Sequence, residues 1–178
     1  MGQPRIILIC FGPFEADVIS WISDDIGSAF NFPVKIMERN PDLSDYYSPK
    51  RRQYDANSIL QVVSDLSPPQ SLKTIGLLKV DLFIPILTYI FGQATLGGNT
   101  AIVSNFRLRN ELYGLKQNYI LQVNRLRKVI IHELGHTFGL IHCYNPKCIM
   151  RSSTYVEDID QKGIRFCNNC QAELEKKK

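Results

Sequence analysis

All three histidines of the chain fall within eleven residues, His132-Glu133-Leu134-Gly135-His136-Thr137-Phe138-Gly139-Leu140-Ile141-His142. On a helix, positions four apart share a face, so the imidazoles of His132 and His136 can reach one ion. Glu133 follows the first of them and can lean over that ion as a base without ligating it. Gly139 permits a left-handed backbone turn, which would swing His142 back as a third ligand. Three neutral nitrogens with one coordination position left open describe a catalytic zinc, not a closed structural one.

A second cluster follows. Of five cysteines, four come after the histidines: Cys143, Cys148, Cys167 and Cys170, spaced C-x4-C, then eighteen residues, then C-x2-C. Two close pairs separated by a loop is the usual form of a four-cysteine zinc site. The competing reading, two disulfides, needs an oxidising compartment. The apolar run at Arg5–Cys10 is too short for an export signal and is cut off by Gly12 and Pro13, so a cytoplasmic chain and zinc are expected. The stretch from Cys143 onward is 36 residues long and poor in large apolar groups. Segments below about 40 residues rarely fold without a metal or a cross-link. Two zinc ions are therefore expected, one catalytic and one structural. Cys143 adjoins the last histidine and Cys148 precedes Met150 by two residues, so the thiolate site should help to shape the catalytic one. Cys10 stands alone in an apolar run and reads as a buried core thiol.

The long histidine motif followed by Met150 resembles the metzincin clan of zinc metallopeptidases, in which a methionine in a tight turn floors the metal ligands. Together with C-x4-C-x-M and the later C-x2-C, it resembles the archaemetzincin family over residues 132 to 170. That resemblance implies a catalytic zinc on His132, His136 and His142, Glu133 as base, Gly139 and Met150 as structural support, and a zinc on the four cysteines. It also implies an antiparallel edge strand along the cleft that takes an extended peptide substrate. Some metzincins carry a tyrosine just past the methionine; here Ser152 stands there, with Tyr155 nearby.

The elements that must position these groups are legible upstream. Arg5–Phe11 reads as a buried strand, followed by an amphipathic helix over Phe14–Phe30 with Ala16, Ile19, Ile22 and Ile26 at helical spacing. Val34–Met37 reads as a strand, 40–50 as a polar loop, 54–66 as a helix ended by Ser67-Pro68-Pro69, and 74–82 as a strand. Strands at 89–95 and 100–106 flank the turn-like Leu96-Gly97-Gly98-Asn99. A long helix is expected from Asn118 to Phe138. Alternating strands and helices predict an α/β (α+β) fold with a mixed, mostly parallel sheet packed on helices. The antiparallel strand at its edge is expected at 89–95. One domain of 178 residues is expected, with residues 1–139 carrying the active-site helix and 140–178 forming a small zinc-stapled subdomain.

Charge excludes little. The formal net charge is +4, with basic residues scattered instead of striped with aromatics, so no nucleic-acid partner is expected. Acidic Glu157, Asp158 and Asp160 within the cysteine lobe argue against a nucleic-acid-binding zinc ribbon. No apolar run approaches membrane-spanning length. The expected function is hydrolysis of peptide bonds in a peptide or protein substrate, with an activated water and Glu133 as general base. The alternative is a non-catalytic zinc-containing module that binds peptides, which would have no need of Glu133.

Overall fold

The structure, a computed structural model, describes residues 3–178. Its strands and helices run β1 (Arg5–Phe11), α1 (Ala16–Phe30), β2 (Val34–Arg39), β3 (Tyr47–Ser48), β4 (Gln53–Asp55), α2 (Ala56–Leu66), β5 (Ser71–Leu78), β6 (Leu82–Phe83), β7 (Gly92–Ala94), β8 (Thr100–Ser104), α3 (Tyr119–Thr137), α4 (Val156–Gln161) and α5 (Asn168–Lys177).

Five strands form the main sheet in the order β2-β1-β5-β8-β7. The first four are parallel, and β7 runs antiparallel to β8 with Gly92 opposite Val103. The side-chain period of two decides the layering. Ile6, Leu8, Cys10, Ile75, Leu77, Ala101 and Val103 face α1 and α3, whereas Leu78 and Ile102 face Ala56, Ile59 and Val63 of α2. Both faces are covered, so the central strands are apolar throughout rather than alternating. The buried stripe of α1 is Val18, Ile22, Ile26 and Phe30; Ala16, expected on it, is exposed.

The expected α/β architecture with a mostly parallel sheet and an antiparallel edge is what forms. Several boundaries differ for identifiable reasons. Helix α1 starts two residues late, because the chain after Pro13 stays extended through Glu15. Tyr54 and Asp55 belong to β4, and the Asp55 carboxylate accepts the Asn57 amide to cap α2. The strand expected over 74–82 stops at Leu78, and Leu82 joins β4 in a small second sheet, β3-β4-β6, which also recruits part of the expected 40–50 loop. At the edge, the expected 89–95 strand shortens to Gly92–Ala94. The Gln53 amide donates to Thr88 O, the Ile90 amide to Leu82 O, and the Arg107 guanidinium lies over the Tyr89 ring. Residues 88–90 are thereby held to the second sheet and kept off the main one. Helices α4 and α5 were not expected. Their buried Val156, Ile159 and Leu174 join the same core as the main sheet, as do Cys148, Ile149 and Met150.

Candidate active site

Helix α3 underlies the sheet edge and is fixed at both ends. Asn118 Oδ1 accepts the Leu121 amide at the start. Nearly two turns in, the buried Arg125 grips Asp160 of α4 with two hydrogen bonds and also donates to Leu108 O and Asn110 Oδ1. At the far end the Lys73 ammonium donates to Thr137 O at 2.9 Å and Gly98 O at 2.7 Å while resting on the Phe138 ring. A cation there satisfies carbonyls that a helix C-terminus leaves unpaired.

Both helical histidines point into one cleft with their tautomers set by the backbone. His132 Nδ1 donates to Ile149 O at 2.9 Å, and His136 Nδ1 donates to Leu140 O at 2.7 Å. Carbonyls only accept, so each Nδ1 holds the proton and each Nε2 exposes a lone pair. Those two Nε2 atoms lie 3.1 Å apart. Neither has a proton for the other, so such an approach is repulsive unless a cation sits between them. Two nitrogens about 2.05 Å from one zinc in a tetrahedron stand about 3.3 Å apart, which these residues match. Burial depresses the pKa of His132 strongly and of His136 and His142 as well, which keeps the three rings neutral as ligands must be.

Gly139 adopts φ +81°, and its amide donates to His136 O at 2.8 Å. The helix ends there, and the chain returns His142 to within 5.3 Å of His132 and 5.0 Å of His136, ring centre to ring centre. Among the described residues, donor atoms of these three histidines form one cluster and those of Cys143, Cys148, Cys167 and Cys170 another, each within 4.8 Å. All four cysteines are free of disulfides, and Cys143 Sγ and Cys167 Sγ are 3.8 Å apart. That equals the edge of a tetrahedron of sulfurs about 2.3 Å from zinc, and is far beyond the ~2.05 Å of a disulfide. The clusters share backbone: the Cys143 amide donates to Met150 O, and the Ile149 amide donates to Arg165 O, two residues before Cys167.

Met150 is fully buried against the active-site helix at Gly135. Its Sδ would stand 2.5 Å from a Cβ built on Gly135, so a side chain at Gly135 would collide with it.

Glu133 is buried, and desolvation pushes its pKa up to about 8, opposed by the nearby Lys162 charge. Gly92 of β7 lies directly against it: a Cβ there would sit 2.8 Å from Glu133 Cγ and 2.8 Å from Ile102 O. Lys162, at the C-cap of α4, is 3% exposed; its Nζ donates to Arg151 O at 2.8 Å and lies 3.3 Å from His132 Nδ1. Burial lowers its pKa to about 8, with Glu133 resisting the shift. Sequence reading missed Gly92 and Lys162. A glycine inside a strand pattern is a signal of close approach, but nothing in the local sequence marked Lys162.

These residues line a cleft of about 510 Å³ between the segment 84–93 and the wall 152–155, floored by Val129, His132, Glu133 and His136. Ser152 and Tyr155 are both on that wall, and Tyr155 is largely exposed. Cys10, on the far side of the molecule's core, is buried as expected, and burial pushes its thiol up to about 11.

A parallel α/β sheet with an antiparallel edge, a helix presenting histidines and a glutamate to an open cleft, and a thiolate cluster behind them define a zinc metallopeptidase. Comparison with known proteins supplies the family. The profile of peptidase family M54 matches residues 26–176. The archaemetzincin of Pyrococcus furiosus is 38% identical over 181 residues, covering 98% of this chain and 94% of its own. The crystal structure of archaemetzincin from Methanopyrus kandleri superposes with a TM-score of 0.85 at 29% identity, covering 98% of this chain and 95% of that one. That of a zinc-dependent peptidase from Methanocorpusculum labreanum also gives 0.85, at 27% identity, over 95% of this chain and 99% of that one. The chain belongs to peptidase family M54, the archaemetzincins.

Proposed function

We propose that the chain is one catalytic domain that hydrolyses peptide bonds at a zinc held by His132, His136 and His142, with Glu133 as general base. A second, structural zinc would be held by Cys143, Cys148, Cys167 and Cys170. The observation that carries this reading is the pair of proton-free Nε2 atoms converging at 3.1 Å beside a buried glutamate. Zinc bound there lowers the pKa of a coordinated water to about 7 and polarises a carbonyl.

The chain's own residues supply the rest. Ile149 O and Leu140 O hold the imidazoles in the ligating tautomer. Glu133 accepts a proton from the attacking water and returns it to the leaving amine. The antiparallel edge strand β7 offers an extended peptide a place to add.

Glu133→Gln should retain one zinc on the histidines and lose hydrolysis by at least about a hundredfold, within the range for removing a general base. A peptide-library digest read by mass spectrometry, with metal content measured on the same samples, makes the test. Cleavage by the variant at the wild-type rate refutes the role of Glu133. Binding of peptides with no zinc-dependent cleavage by the wild type would instead indicate the peptide-binding module.

A further inference from the structure

We propose that Lys162 is a specificity-determining residue which binds a carboxylate of the substrate within the cleft, so that this peptidase selects an anionic group beside the bond it cuts. The proposal rests on the peptidase reading above and goes further by naming what the cleft accepts.

Lys162 lines the same cleft as Glu133 and the histidines, yet the proposed hydrolysis leaves it unused. Its ammonium has three protons and one firm acceptor, Arg151 O at 2.8 Å. The neighbouring His132 Nδ1, at 3.3 Å, has already committed its own proton to Ile149 O and has no lone pair to offer. Among the described residues no carboxylate comes within ion-pair distance of it. A residue only 3% exposed thus keeps two donor directions that no protein carbonyl or carboxylate fills, with Glu133 acting on it only from beyond ion-pair distance. Burying such a group is costly unless something pairs with it.

Its surroundings favour a substrate group as that partner. Val129 and Ile159 supply apolar walls to the cleft. Ser153, on the wall that follows Met150, presents a buried Oγ with no hydrogen-bond partner among the described residues. An ammonium and a hydroxyl donor in an apolar-sided cleft suit a carboxylate better than an aliphatic side chain, since charge-assisted hydrogen bonds are the strongest available. The same argument disfavours a cationic residue there. That carboxylate can come from an aspartate or glutamate side chain or from the terminus of a peptide.

The test uses matched short peptides carrying Glu, Gln or Leu on either side of the cleaved bond, each as free acid and as C-terminal amide. Affinity is measured on zinc-loaded Glu133→Gln protein, which holds substrates uncut, and kcat/KM on the wild type. A Glu peptide should bind at least about tenfold more tightly than its Gln isostere, or a free acid at least tenfold more tightly than its amide. The first result assigns a side-chain carboxylate and the second a terminal one. In the background of Lys162→Met the preference should vanish while the Gln and Leu amides bind as before. Lys162→Gln, which keeps a donor for Arg151 O, serves where the methionine variant loses zinc or fails to fold. Equal binding of acid and neutral peptides, or a preference that survives either substitution, overturns the proposal. Zinc-dependent hydrolysis without acid preference sinks this inference alone, whereas neither binding nor cleavage of any peptide sinks the peptidase reading with it.

Discussion

Replacing Gly92 by alanine adds one methyl group to the edge strand. The structure leaves no room for it. The new Cβ would stand 2.8 Å from Glu133 Cγ and 3.1 Å from its Cδ, whereas ordinary contact begins at 3.4 Å. Relief from the nearer atom requires movement of about 0.6 Å, and the other side is closed, because Ile102 O of the paired strand β8 also stands 2.8 Å away. Backbone in a sheet yields less readily than a side chain, so Glu133 must move. Overpacking of this kind costs about 1–3 kcal/mol, which in a chain of this size lowers Tm by roughly 3–10 °C. The catalytic effect should be larger than that shift suggests, since misplacing a reacting group by about 1 Å costs on the order of a hundredfold. We expect Gly92→Ala to keep its zinc and its fold while kcat/KM drops by about ten- to a hundredfold. Zinc content by elemental analysis, Tm by calorimetry and kcat/KM on a fluorogenic peptide decide it. Wild-type kcat/KM in a folded, zinc-loaded variant would refute the claim that Gly92 sets the position of Glu133.

Three further outcomes are expected. Asp160→Ala leaves the buried Arg125 without its bidentate partner; with Asp160 partly exposed, the cost should be about 3 kcal/mol, read as a Tm drop of roughly 6–12 °C, and a drop below 2 °C would contradict it. Cys143→Ser should speed loss of the histidine-bound zinc to a mild chelator, because the Cys143 amide holds Met150 O and the thiolate site fixes the segment between His142 and Met150; unchanged retention would rule the coupling out. With the histidine site stripped and the thiolate site loaded, the stability of the wild type relative to Glu133→Gln should fall between pH 6.5 and 8. Referring the wild type to that variant cancels two opposing contributions: the imidazoles, depressed when folded but partly protonated when unfolded near pH 6.5, and Lys162, about half deprotonated when folded at pH 8 but protonated when unfolded. The Glu133 pKa is raised to about 8 in the folded state, so the folded form binds the extra proton and each step up in pH favours unfolding. The difference should reach about 1–2 kcal/mol; parallel pH profiles for the two proteins would show that Glu133 is not the group responsible.

The two candidate metal clusters, which the structure brings together as the spacing implied, were the most legible part of this chain, and the reason is local. One helix turn separates His132 from His136, a single left-handed glycine turns the chain at Gly139, and each cysteine pair lies within a few residues, so spacing encodes geometry without reference to the rest of the fold. The parallel strands were legible for a similar reason: a sheet covered on both faces writes itself as apolar runs. Boundaries failed where distant contacts override local preference, as when Gln53, Leu82 and Arg107 draw 88–90 away from the edge strand. Helices α4 and α5 were missed because few apolar residues mark them and their burial depends on the core built upstream.

What only the tertiary structure decided is the environment of Glu133. Its roof is Gly92, some forty residues earlier in the chain, and its charged neighbour is Lys162, some thirty residues later. No periodicity or motif connects those positions. They meet because β7 pairs with β8 above α3 while Arg125 ties α4 to the same helix. The sequence by itself determined which atoms can hold a metal; the packing of sheet edge, helix and α4 decided how buried Glu133 is and which cation lies near it.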